Sequence, residues 1–276
     1  MPELPEVETI RLGLHPRLVG SSIVDVIEFD FPGVVEPLSI AQFRDAVRSR
    51  TFTNSHRRGK YLIFDLDDGL SLIVHLRMTG QLLLVKADHP ETRFARLCLA
   101  LNEGRELRFA DQRKFGRVTL ADVDAIKELD RKLGIEPLGS RFTAAWLESA
   151  LSSRSGAIKA VLLDQSLIAG IGNIYADEAL YRAAIHPLTP ASSLDRRSIA
   201  FLHRSVRFVL RQSINRHGTS FSSYRDSEGN AGTNQYSLQV YGLGRKYQPC
   251  RRCGTELICI QVAGRSSHVC ARCQRF

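Results

Sequence analysis

The first residues of this chain combine a secondary amine with two carboxylates. After Met1 come Pro2 and Glu3, and Glu6 follows three residues later. Once Met1 is removed, Pro2 is an N-terminal amine that titrates near about 8, so part of it is unprotonated at neutral pH and able to attack an electrophilic carbon. The product is an iminium, which acts as an electron sink, while Glu3 and Glu6 are available to move protons. The alternative is that Pro2 and Pro5 only shape the entry to a first helix.

Four cysteines near the C-terminus have the spacing of metal ligands. Cys250, Cys253, Cys270 and Cys273 form two Cys-x2-Cys pairs that are separated by 16 residues. Two such pairs close a tetrahedral thiolate shell around zinc and leave no open position for a catalytic water. The spacing predicts one structural Zn²⁺ on a β-hairpin, with a redox disulfide as the alternative if metal is absent. The clustering of these cysteines argues against the disulfide scaffold of a secreted protein.

The charge of the chain indicates a polyanionic partner. Its 276 residues, enough for two domains or for one and an appendage, carry a net charge of +9. This excess favours nucleic acid, with an anionic membrane as the alternative. No apolar run approaches the roughly 20 residues that span a bilayer, and the N-terminus lacks the pattern of a signal peptide. We therefore expect a cytoplasmic protein without a membrane partner.

Three further polar residues each have two interpretations. Lys60 follows a His-Arg-Arg-Gly run and is either a surface charge or a phosphate ligand. Asn173 follows two glycines at a helix start, where it either caps the helix or marks amide groups that bind a phosphate. Arg265 lies in the turn expected at the tip of the zinc hairpin, among arginines that are either a solvated surface or phosphate contacts. The basic character of the chain favours phosphate binding in each case.

Two apolar residues lie where strands meet turns. Met78 follows a predicted strand, and Phe115 comes two residues after Arg113. If exposed, they are wedges that could fill the gap left by an extruded base. Their spacing alone favours the other interpretation, which is burial in the core.

The hydrophobic pattern predicts an α+β fold. A first helix is predicted by the spacing of Val7, Ile10, Leu14 and Leu18. Short alternating segments then favour an antiparallel sandwich, and the predicted strands are 22–29, 61–66, 71–76, 81–85, 96–101 and 106–110. Near residue 121 the spacing of apolar residues changes from two residues to 3.6, which predicts helices. The first of these helices ends at Gly134, and the others are predicted at 143–151, 156–164, 173–184 and 193–216. The stretch 218–235 has no periodicity and predicts a long loop.

Together these motifs resemble the formamidopyrimidine-DNA glycosylase family, over nearly the whole chain. The resemblance rests on Pro-Glu-Leu-Pro-Glu-Val-Glu-Thr, Arg-Lys-Phe-Gly, Gly-Ile-Gly-Asn-Ile-Tyr-Ala, Leu-Gln-Val-Tyr-Gly and the four-cysteine finger. It implies an antiparallel β-sandwich with a leading helix, a helix-two-turn-helix domain and a zinc-ribbon hairpin. It also implies base excision repair of double-stranded DNA, in which oxidised purines such as 8-oxoguanine and formamidopyrimidines are removed through a Schiff base, followed by β- and δ-elimination.

The resemblance assigns a role to each candidate residue. Pro2 is implied as the nucleophile, Glu3 as the proton donor and Glu6 as a supporting carboxylate. Lys60 and Arg265 are implied as further catalytic residues that hold phosphates. The implied DNA-binding residues are Lys159, Asn173, Tyr241, Met78, Arg113 and Phe115. Of these, Met78, Arg113 and Phe115 fill the void and contact the orphaned base, which replaces the core burial favoured by spacing alone.

The resemblance further implies three domains and one departure from the family. The domains are a catalytic sandwich at 1–136, a helix-two-turn-helix domain at 137–240 with a lesion-recognition loop at 218–235, and a zinc finger at 241–276. That loop keeps the family's two glycines but lacks its proline and aromatic pair, which leaves endonuclease VIII-like preference for pyrimidine lesions as an alternative that Leu4 argues against. A second alternative is a non-catalytic, zinc-stabilised nucleic-acid-binding protein. We expect a monomer in the bacterial cytoplasm, at the nucleoid.

Overall fold

The chain divides into two compact units. The computed structural model describes residues 1–28, 30–220, 224–241 and 248–276. The first unit contains Met1–Arg131 and His217–Gly232, and the second contains Lys132–Arg216 and Thr233–Phe276. Residue 29 of one predicted strand and residues 221–223 of the predicted loop lie outside the described part. Among the described residues, no helix is both long and apolar enough to cross a bilayer.

The first unit is a helix followed by two antiparallel sheets. Its elements are α1 (Leu4–Leu18), β1 (Ile23–Glu28), α2 (Ile40–Val47), β2 (Phe52–Arg58), β3 (Tyr61–Leu66), β4 (Ser71–His75), β5 (Gly80–Lys86), β6 (Ala95–Leu101), β7 (Arg105–Asp111), β8 (Arg117–Ala121) and α3 (Val123–Lys132), which reaches the unit boundary. One sheet has the strand order β1-β6-β7-β5 and the other β2-β3-β4-β8. Every neighbouring pair is antiparallel.

The core of this unit joins α1 to both sheets. Leu14 of α1, Phe64 of β3 and Phe109 of β7 belong to one buried hydrophobic cluster. Helix α1 packs against β2 and β3, and its apolar side chains recur at the helical spacing read from the sequence. The first turn of α1 is therefore held against the sandwich by the rest of the helix.

Residues 217–232 fold onto the first unit, although they follow the last helix of the second. The Leu84 backbone N–H donates to the Ser227 carbonyl at 3.0 Å, and Arg17 forms an ion pair with Glu228 at 2.7 Å. Gly13 of α1 is required at this contact, because a Cβ there would lie 2.3 Å from the Ser227 hydroxyl oxygen. The predicted 218–235 loop is thus anchored along much of its described length.

The second unit is helical and ends in a β-hairpin. Its elements are α4 (Ala144–Leu151), α5 (Ile158–Leu163), α6 (Asn173–Ala183), α7 (Arg196–Asn215), β9 (Ile258–Val262) and β10 (Arg265–Val269). Helix α7 begins at an Asp195 cap, whose carboxylate accepts the Ser198 backbone N–H at 2.7 Å. Its apolar face, which includes Leu202, Val206 and Leu210, is buried and packs against α4 and α6.

The structure confirms the predicted elements and adds three. The leading helix, the two predicted hairpins and the four helices between 143 and 216 are present, with ends that differ by a few residues. Strands β2 and β8 and helix α2 have no counterpart in the sequence-based prediction. Both missed strands are at the edges of their sheet. Strand β2 is polar after Phe52, and the buried residues of β8, Val118 and Ala121, are three apart, so neither strand shows regular apolar alternation.

Candidate functional site

The first turn of α1 fixes the N-terminal residues through one carboxylate. Glu6 Oε2 accepts the Glu3 backbone N–H at 2.9 Å, which is half of a capping box. The other oxygen, Oε1, accepts the Thr219 backbone N–H at 2.8 Å. Pro2, Glu3 and Glu6 are all buried. Glu6 therefore holds the N-terminal turn and the 217–232 segment by the same group.

Lys60 lies in the turn between β2 and β3, and 8% of it is exposed. Arg57 connects this turn to α1, because its guanidinium bonds the Glu8 carboxylate at 3.1 Å and the Gly59 carbonyl at 2.8 Å. The candidate phosphate ligand is therefore held on the same unit as Pro2 by an ion pair between α1 and β2.

His75 is a neutral hydrogen-bond donor near this turn. It pairs across the sheet with Tyr61, and its Nδ1 accepts the Arg77 backbone N–H at 3.0 Å, which leaves the ring hydrogen on Nε2. Burial, reinforced by the charges of Arg77 and Lys60, lowers the pKa of His75 to about 3. At neutral pH the ring therefore offers an N–H without adding a charge.

Met78, Arg113 and Phe115 come together from two different turns. The Arg113 Nη1 lies 2.9 Å from the Met78 sulfur, and its Cζ lies 4.8 Å from the centre of the Phe115 ring. Met78 is 42% exposed and Phe115 is 49% exposed, so neither belongs to the core. The three residues form a projecting cluster of two apolar side chains and one cation.

Asp111, a buried carboxylate, organises both turns. It accepts the backbone N–H groups of Arg113, Phe115 and Gly116 at 3.1, 2.8 and 2.7 Å. It also accepts the hydroxyl of Thr79, which follows Met78. Three amide donors and one hydroxyl satisfy this carboxylate and fix the loop that carries the cluster.

Lys159 is placed where no solvent reaches it. Its side chain is fully buried, and its Nζ lies 2.7 Å from Asp177 Oδ1 and donates to the Ser266 carbonyl at 2.8 Å. Asp177 also accepts the Ser267 hydroxyl at 2.7 Å and the His268 N–H at 2.9 Å. The pair therefore anchors the start of β10 to α5 and α6. In this structure Lys159 contacts protein groups, and the direct DNA contact implied by the resemblance stays a prediction.

Asn173 is the first residue of α6, and the helix N-cap is Gly172 rather than Asn173. Its side-chain Nδ2 instead donates to the Ser266 carbonyl at 2.9 Å and lies 3.4 Å from the Tyr241 hydroxyl. The Tyr241 N–H and the two N–H groups before it donate to the buried Glu178 carboxylate. Burial raises the pKa of Glu178 to about 7, against the lowering effect of these amide donors.

Arg265 is exposed at the tip of the β9–β10 hairpin. It is the first residue of β10 and pairs with Val262, so it lies just after the turn rather than within it. The turn residues Ala263 and Gly264 both have positive φ, as the favoured two-residue hairpin turn requires. A cation at such a tip is able to enter a groove of DNA while the strands of the hairpin stay outside the groove.

The four cysteines of the predicted zinc site come together. Their Sγ atoms all lie within 4.8 Å of one another. The nearest cross pair, Cys253 and Cys270, is 3.4 Å apart, too far for a disulfide of about 2.05 Å. Zn–S bonds of about 2.3 Å place the sulfurs of a tetrahedron about 3.8 Å apart, which the cluster fits. All four thiolates are used, so this is a closed structural site.

Comparison with known proteins identifies the family. Residues 1–118 match the formamidopyrimidine-DNA glycosylase N-terminal domain, 133–225 match its H2TH domain, and 248–275 match a zinc finger found in FPG and IleRS. A formamidopyrimidine-DNA glycosylase of Herpetosiphon aurantiacus is 49% identical over 99% of this chain and 100% of its own length. The chain belongs to the formamidopyrimidine-DNA glycosylase family. A second family member, from a Roseiflexus species, is 45% identical over 100% of both chains.

Solved structures of the glycosylase family have the same fold. Lactococcus lactis Fpg with abasic-site DNA aligns at a TM-score of 0.92, with 38% identity over 99% of this chain and 100% of that chain. The same protein with oxidised-pyrimidine DNA aligns at 0.91, with 38% identity over 100% of both chains. These matches confirm the predicted α+β class. The finger match and the cysteine cluster confirm one structural zinc.

Sequence reasoning missed the residues that position this glycosylase site. Asp111, Asp177 and Glu178 bond candidate residues or their backbone, and the charge of Lys60 acts on His75. One signal was available for Asp177 and Glu178, which lie in a helix that is buried on most sides. A carboxylate in such a helix requires several donors, so it indicates a tertiary contact.

Proposed function

We propose that this chain is a bifunctional DNA glycosylase and AP lyase that removes oxidised purines from double-stranded DNA. The named relatives are formamidopyrimidine-DNA glycosylases, and one solved structure holds Lactococcus lactis Fpg with DNA that contains FAPY-dG. The observation that carries the proposal is the Glu6 carboxylate, which bonds Glu3 and Thr219 and so presents Pro2 in a fixed conformation. A preorganised amine loses little freedom when it attacks.

The reaction begins when the damaged nucleotide leaves the duplex, at a cost of roughly a few kcal/mol. The unprotonated Pro2 nitrogen forms a bond to C1′ of the deoxyribose as the bond from C1′ to the base breaks. The base leaves with the electron pair of that bond and takes up a proton, while the Pro2 nitrogen loses its own proton. Glu3 supplies a proton to the sugar as its ring opens, which leaves an iminium. That cation acidifies C2′, so loss of a C2′ proton releases the 3′ phosphate, and a second elimination releases the 5′ phosphate. Zinc takes no part in bond breaking.

The remaining candidate residues hold the DNA. Lys60 and Arg265, with neutral His75, bind phosphates around the lesion, and Asn173 and Tyr241 contribute neutral donors. The cluster of Met78, Arg113 and Phe115 fills the space vacated by the base, as apolar wedges do in other kinked DNA. Asp111 positions this cluster, and Lys159 positions the Arg265 hairpin.

The functional domains we propose are the sandwich at 1–136, the helix-two-turn-helix domain at 137–240 and the zinc finger at 241–276. The segment at 218–235 recognises the lesion. The protein works as a monomer in the cytoplasm of a bacterial cell, at the nucleoid where its substrate is. Oxidised purines are the main substrate class, and oxidised pyrimidines are the alternative.

The experiment that tests this proposal is borohydride trapping on two duplexes. One carries 8-oxoguanine opposite cytosine and the other carries dihydrothymine. We expect a covalent adduct with the protein, stronger on the 8-oxoguanine duplex, and peptide mapping should find it on Pro2. Mass measurement first establishes that Met1 is absent and that one zinc is bound.

Two variants sharpen the result. Pro2→Gly, and a form with a blocked N-terminus, should fail to excise the base from an intact lesion while keeping affinity for abasic-site DNA. Excision by either form at the original rate would contradict the nucleophile assignment. If zinc-loaded protein without Met1 gives no adduct on either duplex, the non-catalytic binding protein is the better description.

A further inference from the structure

Helix α7 carries a stripe of alternating arginine and phenylalanine on its exposed face. We call this set the α7 stripe, and its members are Arg197, Phe201, Arg204, Phe208 and Arg211. Their spacing of four, three, four and three residues places them along one side of a helix. All five are exposed, and the two rings keep 38% and 43% of their surface in solvent. The opposite face of α7 is the buried one that packs against α4 and α6.

The charged side chains of α7 itself are all positive. From residue 196 to residue 216 the sequence has six arginines and no Asp or Glu. In the described part of the chain, the ion pair formed by these arginines is that of Arg196 with Glu148, at 3.5 Å. Arg207 is half-buried against the carbonyls of residues 137–139, and burial together with repulsion from Arg211 lowers its pKa. Arg197 interacts with the carboxylate of Asp195, the helix N-cap, whereas Arg204 and Arg211 form no ion pair within the described residues.

Each of the two rings has a guanidinium close to it. The Arg204 guanidinium lies 5.6 Å from the centre of the Phe201 ring, and that of Arg182 in α6 lies 3.6 Å from the Phe208 ring. Stacking of this kind orders long side chains before any ligand arrives. Each ring has one side covered by a guanidinium and keeps the rest of its apolar surface open.

Two open depressions make the stripe concave. One, of about 640 Å³, is lined by α7 side chains that include Arg204, Arg207, Phe208 and Arg211. The second, of about 410 Å³, shares Phe208 and adds three cations, which are Arg182, Arg251 and Arg252. Its one carboxylate, Glu178, is already bonded to three backbone N–H groups. The surface beside the stripe is therefore basic as well.

We propose that the α7 stripe is a docking site for a partner protein, through an amphipathic helix that carries carboxylates and apolar side chains at the same three- and four-residue spacing. Phe201 and Phe208 are two turns apart, about 10 Å along the axis, which matches the apolar repeat of a facing helix. The arginines between them pair with the carboxylates. None of these residues belongs to the site proposed for excision, so variants of the stripe leave the residues of that site unchanged.

Duplex DNA is the other polyanion with charge opposite to this surface, and the rings argue against it. Phosphates require cations and hydrogen-bond donors, and they gain nothing from an exposed phenylalanine. In a duplex the bases are stacked on one another, so they are not available to stack on these rings. A helix with both acidic and apolar side chains satisfies the arginines and the rings together.

The test uses full-length, zinc-loaded protein and a synthetic fluorescent peptide. The peptide is a 21-residue helix with Leu on the two-turn repeat and Glu at the flanking positions. A second peptide has the same composition in scrambled order, and undamaged duplex DNA is a third probe. Binding is measured by anisotropy for the wild type and for two double variants, Arg204→Glu with Arg211→Glu and Phe201→Ala with Phe208→Ala. Lys127→Glu with Arg131→Glu on α3 is the matched charge control.

We expect the helical peptide to bind the wild type and the α3 control equally, and to bind each α7 variant roughly tenfold more weakly. The scrambled peptide should bind the wild type more weakly than the helical one. All variants should excise 8-oxoguanine at the wild-type rate, which establishes that they are folded. Equal binding of the two peptides, absence of peptide binding, or a loss confined to undamaged DNA in the arginine variant would overturn the proposal.

Discussion

Glu6 is the residue on which the N-terminal turn depends, since each of its oxygens accepts a different backbone N–H. In Glu6→Gln, one of those N–H groups faces the amide NH₂ and loses its acceptor. We expect a loss of about 1–3 kcal/mol in the free energy of unfolding. A shift of Pro2 by about an ångström should slow excision by roughly a hundredfold. Single-turnover excision and denaturant unfolding measure the two effects.

The control for Glu6 is Glu8→Gln. Glu8 lies on the same helix and bonds side chains, Arg11 and Arg57, rather than the backbone of the N-terminal turn. Its variant should excise far faster than Glu6→Gln. Equal rates for the two variants would mean that Glu6 does not position Pro2.

His75 should make folding stability depend on pH in mildly acidic solution. Its pKa in the folded protein is about 3, against an ordinary value of 6.5. Between these two pH values the unfolded chain binds a proton at His75 and the folded protein does not. The stability is therefore complete above about pH 6.5 and is lost as pH falls, by at most about 1.4 kcal/mol per pH unit. Between pH 7.5 and pH 5.0, the wild type should lose up to about 2 kcal/mol more than His75→Gln.

Denaturant unfolding at the two pH values measures this difference. His89→Gln is the control, because His89 is exposed in the loop after β5 and forms no ion pair among the described residues. Its loss between the two pH values should be close to that of the wild type. If His75→Gln also matches the wild type, His75 titrates normally in the folded protein and is not a neutral donor.

At the scale of elements, the buried pair of Lys159 and Asp177 joins α5, α6 and β10. Lys159→Met or Asp177→Asn leaves part of a charged network without its partner, and we expect each to lower the free energy of unfolding by about 3–5 kcal/mol. The double variant should be more stable than either single variant, because no lone charge remains buried. Denaturant unfolding of the zinc-loaded protein compares the three.

An exposed pair on α3 offers a matched control for that cycle. Lys127 and Asp124 are 2.9 Å apart with side chains 62% and 80% exposed. The same substitutions there should change stability by less than about 1 kcal/mol each. Single variants of the buried pair with equally small effects would show that water reaches it, and Lys159 would then be available for DNA.

At the scale of the whole molecule, the net charge of +9 should make DNA affinity depend strongly on salt. Each phosphate neutralised adds about 0.9 to the slope of log K against log salt concentration. Arg265→Ala should lower that slope by about 1 and weaken binding to all sequences alike. The measurement is the affinity for an abasic-site duplex across a range of salt concentrations.

Arg131→Ala is the control for Arg265, because Arg131 is 73% exposed and pairs with Glu128 on α3. Its slope should equal that of the wild type. An unchanged slope for Arg265→Ala would show that the hairpin tip does not contact a DNA phosphate. The assignment of the zinc site would not be affected by that result.

The sequence by itself determined the features that depend on nearby residues. Zinc ligation follows from the spacing of four cysteines, the α7 face from a 3.6-residue period, and the hairpins from alternating apolar residues. The edge strands β2 and β8 were missed because β2 is polar after Phe52 and β8 has only five residues without regular alternation. Their places were set by β3 and β4.

Only the tertiary structure decided the roles of charged residues, since their partners are far away in the chain. Glu6 meets Thr219, which is 213 residues later, and Lys159 meets the carbonyl of Ser266, 107 residues later. Whether a lysine faces water or a buried carboxylate depends on which segment packs against it. In water the lysine can bind a phosphate, whereas a desolvated lysine must stay paired with its carboxylate. The sequence named the reactive groups, and packing decided which of them face DNA.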